Sequence, residues 1–292
     1  MITHQRLSSL VKATAVISLG VAAASAQAAT WNKTTTGGSC SSFSATPSCT
    51  INAATDANGA GTTATVTGWS NAATGTSTST TGTWRAANLT DQGASGIGVN
   101  HGNTTADPNE GSGTAPGYEH AVDNNGRTDA VRLQFLDSTI LRSVTLGWIG
   151  SDYDFTVLRW VGNGTLPTGA TAGTMNWRVN ASTNVASDSD TTAAGWNGWQ
   201  LVGNYAGTVT GPTGTDQTVS INAAGDSSSF WLIMAYNSAF GTGAGLEMGN
   251  DSFKFLSFTS KVPASSNVPE PAGLALAGLA LFGAGWVRRR KA

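Results

Sequence analysis

Val131, Leu133 and Phe135 alternate with Arg132 and Gln134, and Val144, Leu146 and Trp148 alternate with Ser143, Thr145 and Gly147. A period of two is the pattern of a strand with one buried face. Tyr153 to Val161 is a third such segment, set off by the turn-forming Gly150-Ser151-Asp152, and the three together predict a meander. Further strands are predicted at Trp199 to Tyr205, Val219 to Ile221, Phe230 to Tyr236 and Phe253 to Phe258. The run Phe230-Trp231-Leu232-Ile233-Met234-Ala235-Tyr236 is apolar on both faces, which predicts a central strand covered on both sides. Phe253 and Phe255 share one face while Leu256 and Phe258 share the other, so a bulge is expected between them. Trp148 and Trp231 are expected in the core. No stretch from 30 to 260 carries a 3.6-residue period. The expectation is an all-β fold, a single β-sandwich of jelly-roll type over residues 29–261.

The first part of that domain, 29–83, is rich in Ser, Thr, Gly and Ala, and some of it is expected to be loose. Thr62 to Thr67 predicts an edge strand, Thr74 to Thr83 a loop, and Trp31 and Trp69 are isolated anchors. Only 11% of the 292 residues are charged and 37 are Gly, a composition close to that of disordered chains. Ten Trp, clustered with Phe in the periodic segments, argue for a packed core instead.

Both ends read as addressing segments. Arg6 and Lys12 precede an apolar run from Ala13 to Ala24, and Ala26-Gln27-Ala28 offers small side chains where a signal peptidase reads, so 1–28 is expected to be a signal peptide cut after Ala28. At the other end a short linker, 262–267, leads to Val268-Pro269-Glu270-Pro271, an apolar stretch from Ala272 to Val287, and Arg288-Arg289-Arg290-Lys291. As a helix that stretch covers about 24 Å, a little less than a hydrocarbon core of about 30 Å, and terminal Arg and Lys can snorkel across the deficit. The positive cluster holds the extreme C-terminus in the cytoplasm and puts the domain outside. Pro269 and Pro271 disfavour helix in the residues before them, leaving an extended, accessible peptide above the membrane.

This order of parts resembles the PEP-CTERM sorting signal of Gram-negative bacteria that make exopolysaccharide. The resemblance covers the last 25 residues, 268–292, and Pro269, Glu270 and Pro271 match the motif residue by residue. It implies that a membrane-embedded exosortase recognises the motif and removes the anchor after a transient stay in the inner membrane. A permanent tail anchor, whose prolines only end a helix, is the alternative. The stretches Gly96 to Asn100, His120 to Asn124 and Phe230 to Ile233 also resemble a group of exosortase-dependent surface proteins with no assigned biochemistry, a likeness that carries no catalytic residue across.

Export agrees with the cysteines. Cys40 and Cys49 are the only two, nine positions apart, and an oxidising compartment favours their pairing. With no further ligand cysteine, and with His101 and His120 distant in sequence, zinc is not expected. Removing both ends also changes the charge. Residues 29–268 hold 16 acidic and 9 basic residues, a net −7 where the whole chain is −2. Such a domain is a poor partner for nucleic acid, whose phosphates demand Lys and Arg.

The polar stretch from His101 to Asp129 carries Asp107, Glu110, Glu119, Asp123 and Asp129. Asp107, Asp123 and Asp129 are candidates for a structural calcium, which takes several carboxylate and carbonyl oxygens. Against that reading, Asp123-Asn124-Asn125-Gly126 lacks the spacing of an EF-hand loop and suits a turn. No other cofactor is implied. A glycosidase needs two facing carboxylates, and nothing in the sequence brings Glu110, Glu119 and Glu247 together. His120 and Asp123 with an unspecified serine make no recognisable hydrolase motif. No enzymatic activity is expected. Trp177, Trp196 and Trp199 lie beside Asn and Gly in less periodic surroundings and are the candidates for stacking on sugar rings. The reading is therefore an exported, exosortase-processed surface or matrix protein with a structural or adhesive role in biofilm or floc. The alternatives are a carbohydrate-binding module engaging exopolysaccharide and, behind it, an extracellular hydrolase.

Overall fold

The alternation that begins at Val131 does not stop at Phe135. In the computed structural model Asp129–Ile149 form one strand of 21 residues, joining two segments expected to be separate. Between them, 136–142 contains no Gly, Pro or Asn to turn the chain, so the backbone stays extended. Leu136, Asp137 and Ser138 are exposed, Leu136 at 82%, where the strand leaves one half of the sheet and enters the other.

The structure describes residues 28–34, 38–53, 63–71, 83–100, 120–125, 128–161, 174–176, 179–180, 185–186, 199–207, 209 and 214–263. In chain order the strands are β1 (Ala28–Asn32), β2 (Ser48–Asn52), β3 (Thr63–Asn71), β4 (Thr83–Asp91), β5 (Ile97–Asn100), β6 (Val122–Asp123), β7 (Asp129–Ile149), β8 (Phe155–Trp160), β9 (Thr174–Asn176), β10 (Val179–Asn180), β11 (Val185–Ala186), β12 (Trp199–Tyr205), β13 (Gln217–Ser220), β14 (Ser228–Ala235) and β15 (Ser252–Lys261). Among the described residues there is no α-helix, only short 3-10 turns.

The first half of β7 pairs with β3 and β14, and the second half with β13 and β15. From β15 the hydrogen bonding runs to β5, β4 and back to β3, so five strands close a barrel-like ring. A flank of β14, β8, β12, β11 and β10 extends from it. The expected all-β architecture is therefore present as a sandwich-like sheet curled on itself. The expected meander is not: β8 lies beside β14, which separates it from β7. Thr63–Asn71 is a strand but not an edge, having β2, β4 and β7 as neighbours.

Period-two geometry sends β14 into two cores at once. Trp231, Ile233 and Ala235 enter the main core, and Phe230, Leu232 and Met234 enter a second cluster on the opposite face. The bulge expected in the last strand is found, with register shifts on either side of Phe255 where β15 pairs with β7. It lets Phe253, Phe255 and Phe258 all reach the main core, where Phe258 stacks on Trp31 at 5.3 Å. Trp231 is fully buried, while Trp148 is half-buried beneath the Lys254 ammonium, 4.6 Å from its ring.

Two of the stretches singled out by resemblance pack together. The Val99 N–H donates to the Ala121 carbonyl at 3.2 Å, and the His120 carbonyl lies 1.3 Å from where a Cβ at Gly98 would sit. Only glycine permits that approach.

The Ser/Thr-rich start of the domain is tied down by β1, β2 and a disulfide. Cys40 and Cys49 are bonded with Cα atoms 5.0 Å apart, joining the turn Ser39–Ser41 to β2. Replacing both by Ala is expected to cost about 2–3 kcal/mol by the chain-entropy relation, read as a lowered urea midpoint. An unshifted midpoint would show that β2 is held without the bond.

Candidate functional site

Between Ile149 and Phe155 the chain leaves β7 and enters β8 through Asp152-Tyr153-Asp154, and Asp251 immediately precedes β15. A parallel bridge between Asp152 and Asp251 sets these two segments side by side. The result is three carboxylates, Asp152, Asp154 and Asp251, each with an oxygen within 4.8 Å of the others. Asp154 and Asp251 are fully buried and Asp152 is half-buried.

Every one of these carboxylates is held by donors. Asp251 Oδ1 accepts the Asp154 N–H at 2.7 Å, and its Oδ2 accepts the Asn124 side-chain amide. Asp154 Oδ1 accepts the Gly207 N–H at 2.7 Å and its Oδ2 the Glu247 N–H at 2.9 Å. Asp152 Oδ1 takes the Tyr153 N–H at 2.9 Å and its Oδ2 the Asn250 amide at 3.1 Å. Asn124 fastens the far side. Its Oδ1 accepts N–H groups from Gly249 and Asp251, and its Nδ2 also donates to the Tyr236 carbonyl at 3.0 Å.

Such donors favour ionised carboxylates, but the surroundings oppose them. Burial, and then the charge of Asp154, push the Asp251 carboxyl up to about 8 against the pull of the Asn124 hydrogen bond. Asp154 is raised too, chiefly by burial, with the N–H bonds from Gly207 and Glu247 resisting and the charges of Asp152 and Glu247 adding to the rise. Tyr153 and Tyr236 stand beside the cluster. Burial and then the neighbouring aspartates raise both phenols. Among the described residues the two ion pairs lie elsewhere, Lys33 with Asp91 and Arg159 with Asp226. The group is thus a buried concentration of negative charge with its oxygens already oriented. Chemically it can share a proton or accept a hard cation through oxygen ligands.

The residues named from sequence fall differently. Asp123 caps the turn expected there, its Oδ1 accepting the Asn125 N–H at 3.0 Å, and its neighbour Asn124 is the one that reaches the cluster. Asp129 opens β7 and pairs in register with Ser70. Neither aspartate is one of the three carboxylates of that group. Asp107, Glu110, Glu119, Trp177 and Trp196 lie outside the described residues, as do Pro269, Glu270, Pro271, Arg288, Arg289, Arg290 and Lys291. Glu247 approaches Asp154 through its backbone N–H, not as half of an acid pair. Trp199 is a correction: it is fully buried, edge-on to Trp160 at 5.5 Å, so it offers no face to a sugar. Register with Trp160 across β8 and β12 turned the ring inward. The sequence marked Asp152 only as the end of a turn and placed Asp154 in the strand that follows, and nothing in it marks Asp251, 97 positions beyond Asp154, as their neighbour.

Residues 267–291 match the PEP-CTERM protein-sorting motif, the C-terminal signal that an exosortase recognises. The motif implies export and transient membrane sorting to the cell surface. No curated protein matches the chain. Among the described residues, no helix is long and apolar enough to cross a membrane.

Proposed function

We propose that the chain is a non-enzymatic surface or extracellular-matrix protein, handed over by exosortase cleavage and serving biofilm or floc structure. The observation that carries this reading is the sorting motif at 267–291, which follows the β domain in the chain. In this reading signal peptidase cuts after Ala28, 272–287 span the inner membrane, and the scaffold is a sandwich of jelly-roll type. The placement of the domain ends supports it. β1 pairs with β15 from Ala28 opposite Lys261 to Asn32 opposite Ser257, so the chain enters and leaves the domain at one corner. A domain held by both processing segments at a single corner can sit on the membrane during sorting without distortion.

A second reading, a carbohydrate-binding module, now rests on a different place from the one the tryptophans suggested. An open cleft of about 420 Å³ is lined by Arg142, Tyr205, Ser220, Ile221, Asn222 and Ala223. It combines one aromatic ring, a guanidinium and small polar groups, a lining suited to a sugar residue.

The test is the intact mass of the mature protein from cells with and without exosortase. The expected result is a chain that begins at Ala29 and ends near Pro269-Glu270-Pro271 only when exosortase is present. A tail running to Ala292 in both strains would make the protein a permanent anchor and remove the matrix reading.

A further inference from the structure

Just past the end of β1, Lys33 is buried to 1% exposure, a rare condition for a lysine. Its backbone N–H is fixed to the Leu256 carbonyl at 3.1 Å, so the stem is directed inward beside β15. Its Nζ meets Asp91 Oδ1 at the end of β4, and among the described residues it has no second acceptor. Asp91 is itself positioned, paired with Ile97 of β5, and the same Oδ1 accepts the Gly93 N–H at 2.8 Å. Ile97 and Phe255, paired across β5 and β15, are both fully buried.

From these observations we propose that Lys33 and Asp91 are joined by an intramolecular amide bond formed without an added enzyme. An ammonium buried with one partner is costly, because desolvation of the ion is only partly offset by a single contact. Condensation removes both charges. Two protons pass from the Lys33 nitrogen to the departing Asp91 Oδ2, the nitrogen lone pair attacks Cγ, and the Cγ–Oδ2 bond breaks with release of one water. The third proton stays on the new amide nitrogen. No oxidant, reductant or cofactor enters the balance. Once the nitrogen has passed a proton to the carboxylate, the lysine amine is the nucleophile. The Gly93 N–H already points at the oxygen on which negative charge develops, in the manner of an oxyanion donor. Asp91, 15% exposed, leaves a path for the water. The bond would fasten β1 to a point 58 positions along the chain, enclosing the Cys40–Cys49 loop.

The experiment is the mass of the full domain, reduced and fully denatured, followed by peptide mapping. The expected result is a mass lower than the sequence by one water, with a branched peptide joining the segments that contain Lys33 and Asp91. Lys33→Arg keeps the charge, cannot close this bond, and is expected to recover the full sequence mass. A wild-type domain at full mass overturns the proposal, and so does a water loss that maps to any other pair. The wild-type mass decides the question even where a variant fails to fold.

Discussion

Raising the pH through the range from about 4 to about 8 is expected to destabilise the domain, the reverse of ordinary acid denaturation. The sign follows from Asp251. Its carboxyl titrates near 8 in the folded protein and near 3.9 in an unfolded chain, roughly the model-peptide value. Between those limits the folded state holds a proton that the unfolded state has released, so stability is fullest below the lower limit and declines until the upper one. The ceiling on the slope is about 1.4 kcal/mol per pH unit for one proton. Asp154, shifted in the same direction, acts with the same sign. The buried Arg132 acts outside it. Arg132, lowered to about 10 by burial, contributes a change only in strongly alkaline solution. Urea midpoints measured in EDTA at intervals from about pH 5 to about pH 9 should fall until about pH 8 and then level, and Asp251→Asn should flatten the fall. A midpoint that rises with pH in the unsubstituted domain would refute the proton-sharing description of the cluster. Repeating the series with calcium separates the two ways of neutralising it. A cation seated among Asp152, Asp154 and Asp251 would erase the slope, while proton sharing alone would leave it in place.

Period-two patterning gave away the central strands because each carries its own record of which face is buried. β14 is the clearest case, six apolar residues dealt alternately into two cores. The bulge in β15 was legible for the same reason, since Phe255 and Phe258 reach one core only if the alternation slips between them. Where a strand changes sheet the record misleads. Leu136, Asp137 and Ser138 read as a break between two strands, although the chain there is continuous β7 turned outward. Strands with little apolar signal, such as β2 with Thr50 and Asn52 half-buried, depend on neighbours and a disulfide that local sequence does not weigh. The carboxylate cluster was illegible on a further ground. It is made by a bridge between residues 152 and 251, and long-range register is a property of the closed ring, not of either segment. The sorting motif lies at the opposite extreme: an enzyme reads it as a linear peptide, so its meaning survives without any fold at all.

Asn124→Ala is expected to be among the most damaging single changes in the domain. The side chain is fully buried and serves two N–H groups, a carbonyl and a carboxylate at once. Truncation leaves the buried Asp251 N–H and the half-buried Gly249 N–H without their acceptor, and a fully buried orphan costs about 1–3 kcal/mol. It also withdraws the one side-chain donor that keeps Asp251 ionisable. The total loss should be on the order of 3–5 kcal/mol, less whatever a water entering the space restores. The pH profile distinguishes this from a simple packing defect. Without the Asn124 amide the Asp251 carboxyl moves further up, so the decline in stability should extend to higher pH than in the unsubstituted domain. Asn124→Asp tests the same contact by charge, since it places a fourth carboxylate against Asp251 and should be tolerated only at low pH. If Asn124→Ala shifts the urea midpoint by a constant amount at every pH, Asn124 and Asp251 are not coupled. The amide would then be only a structural tie between the chain after β6 and the segment before β15.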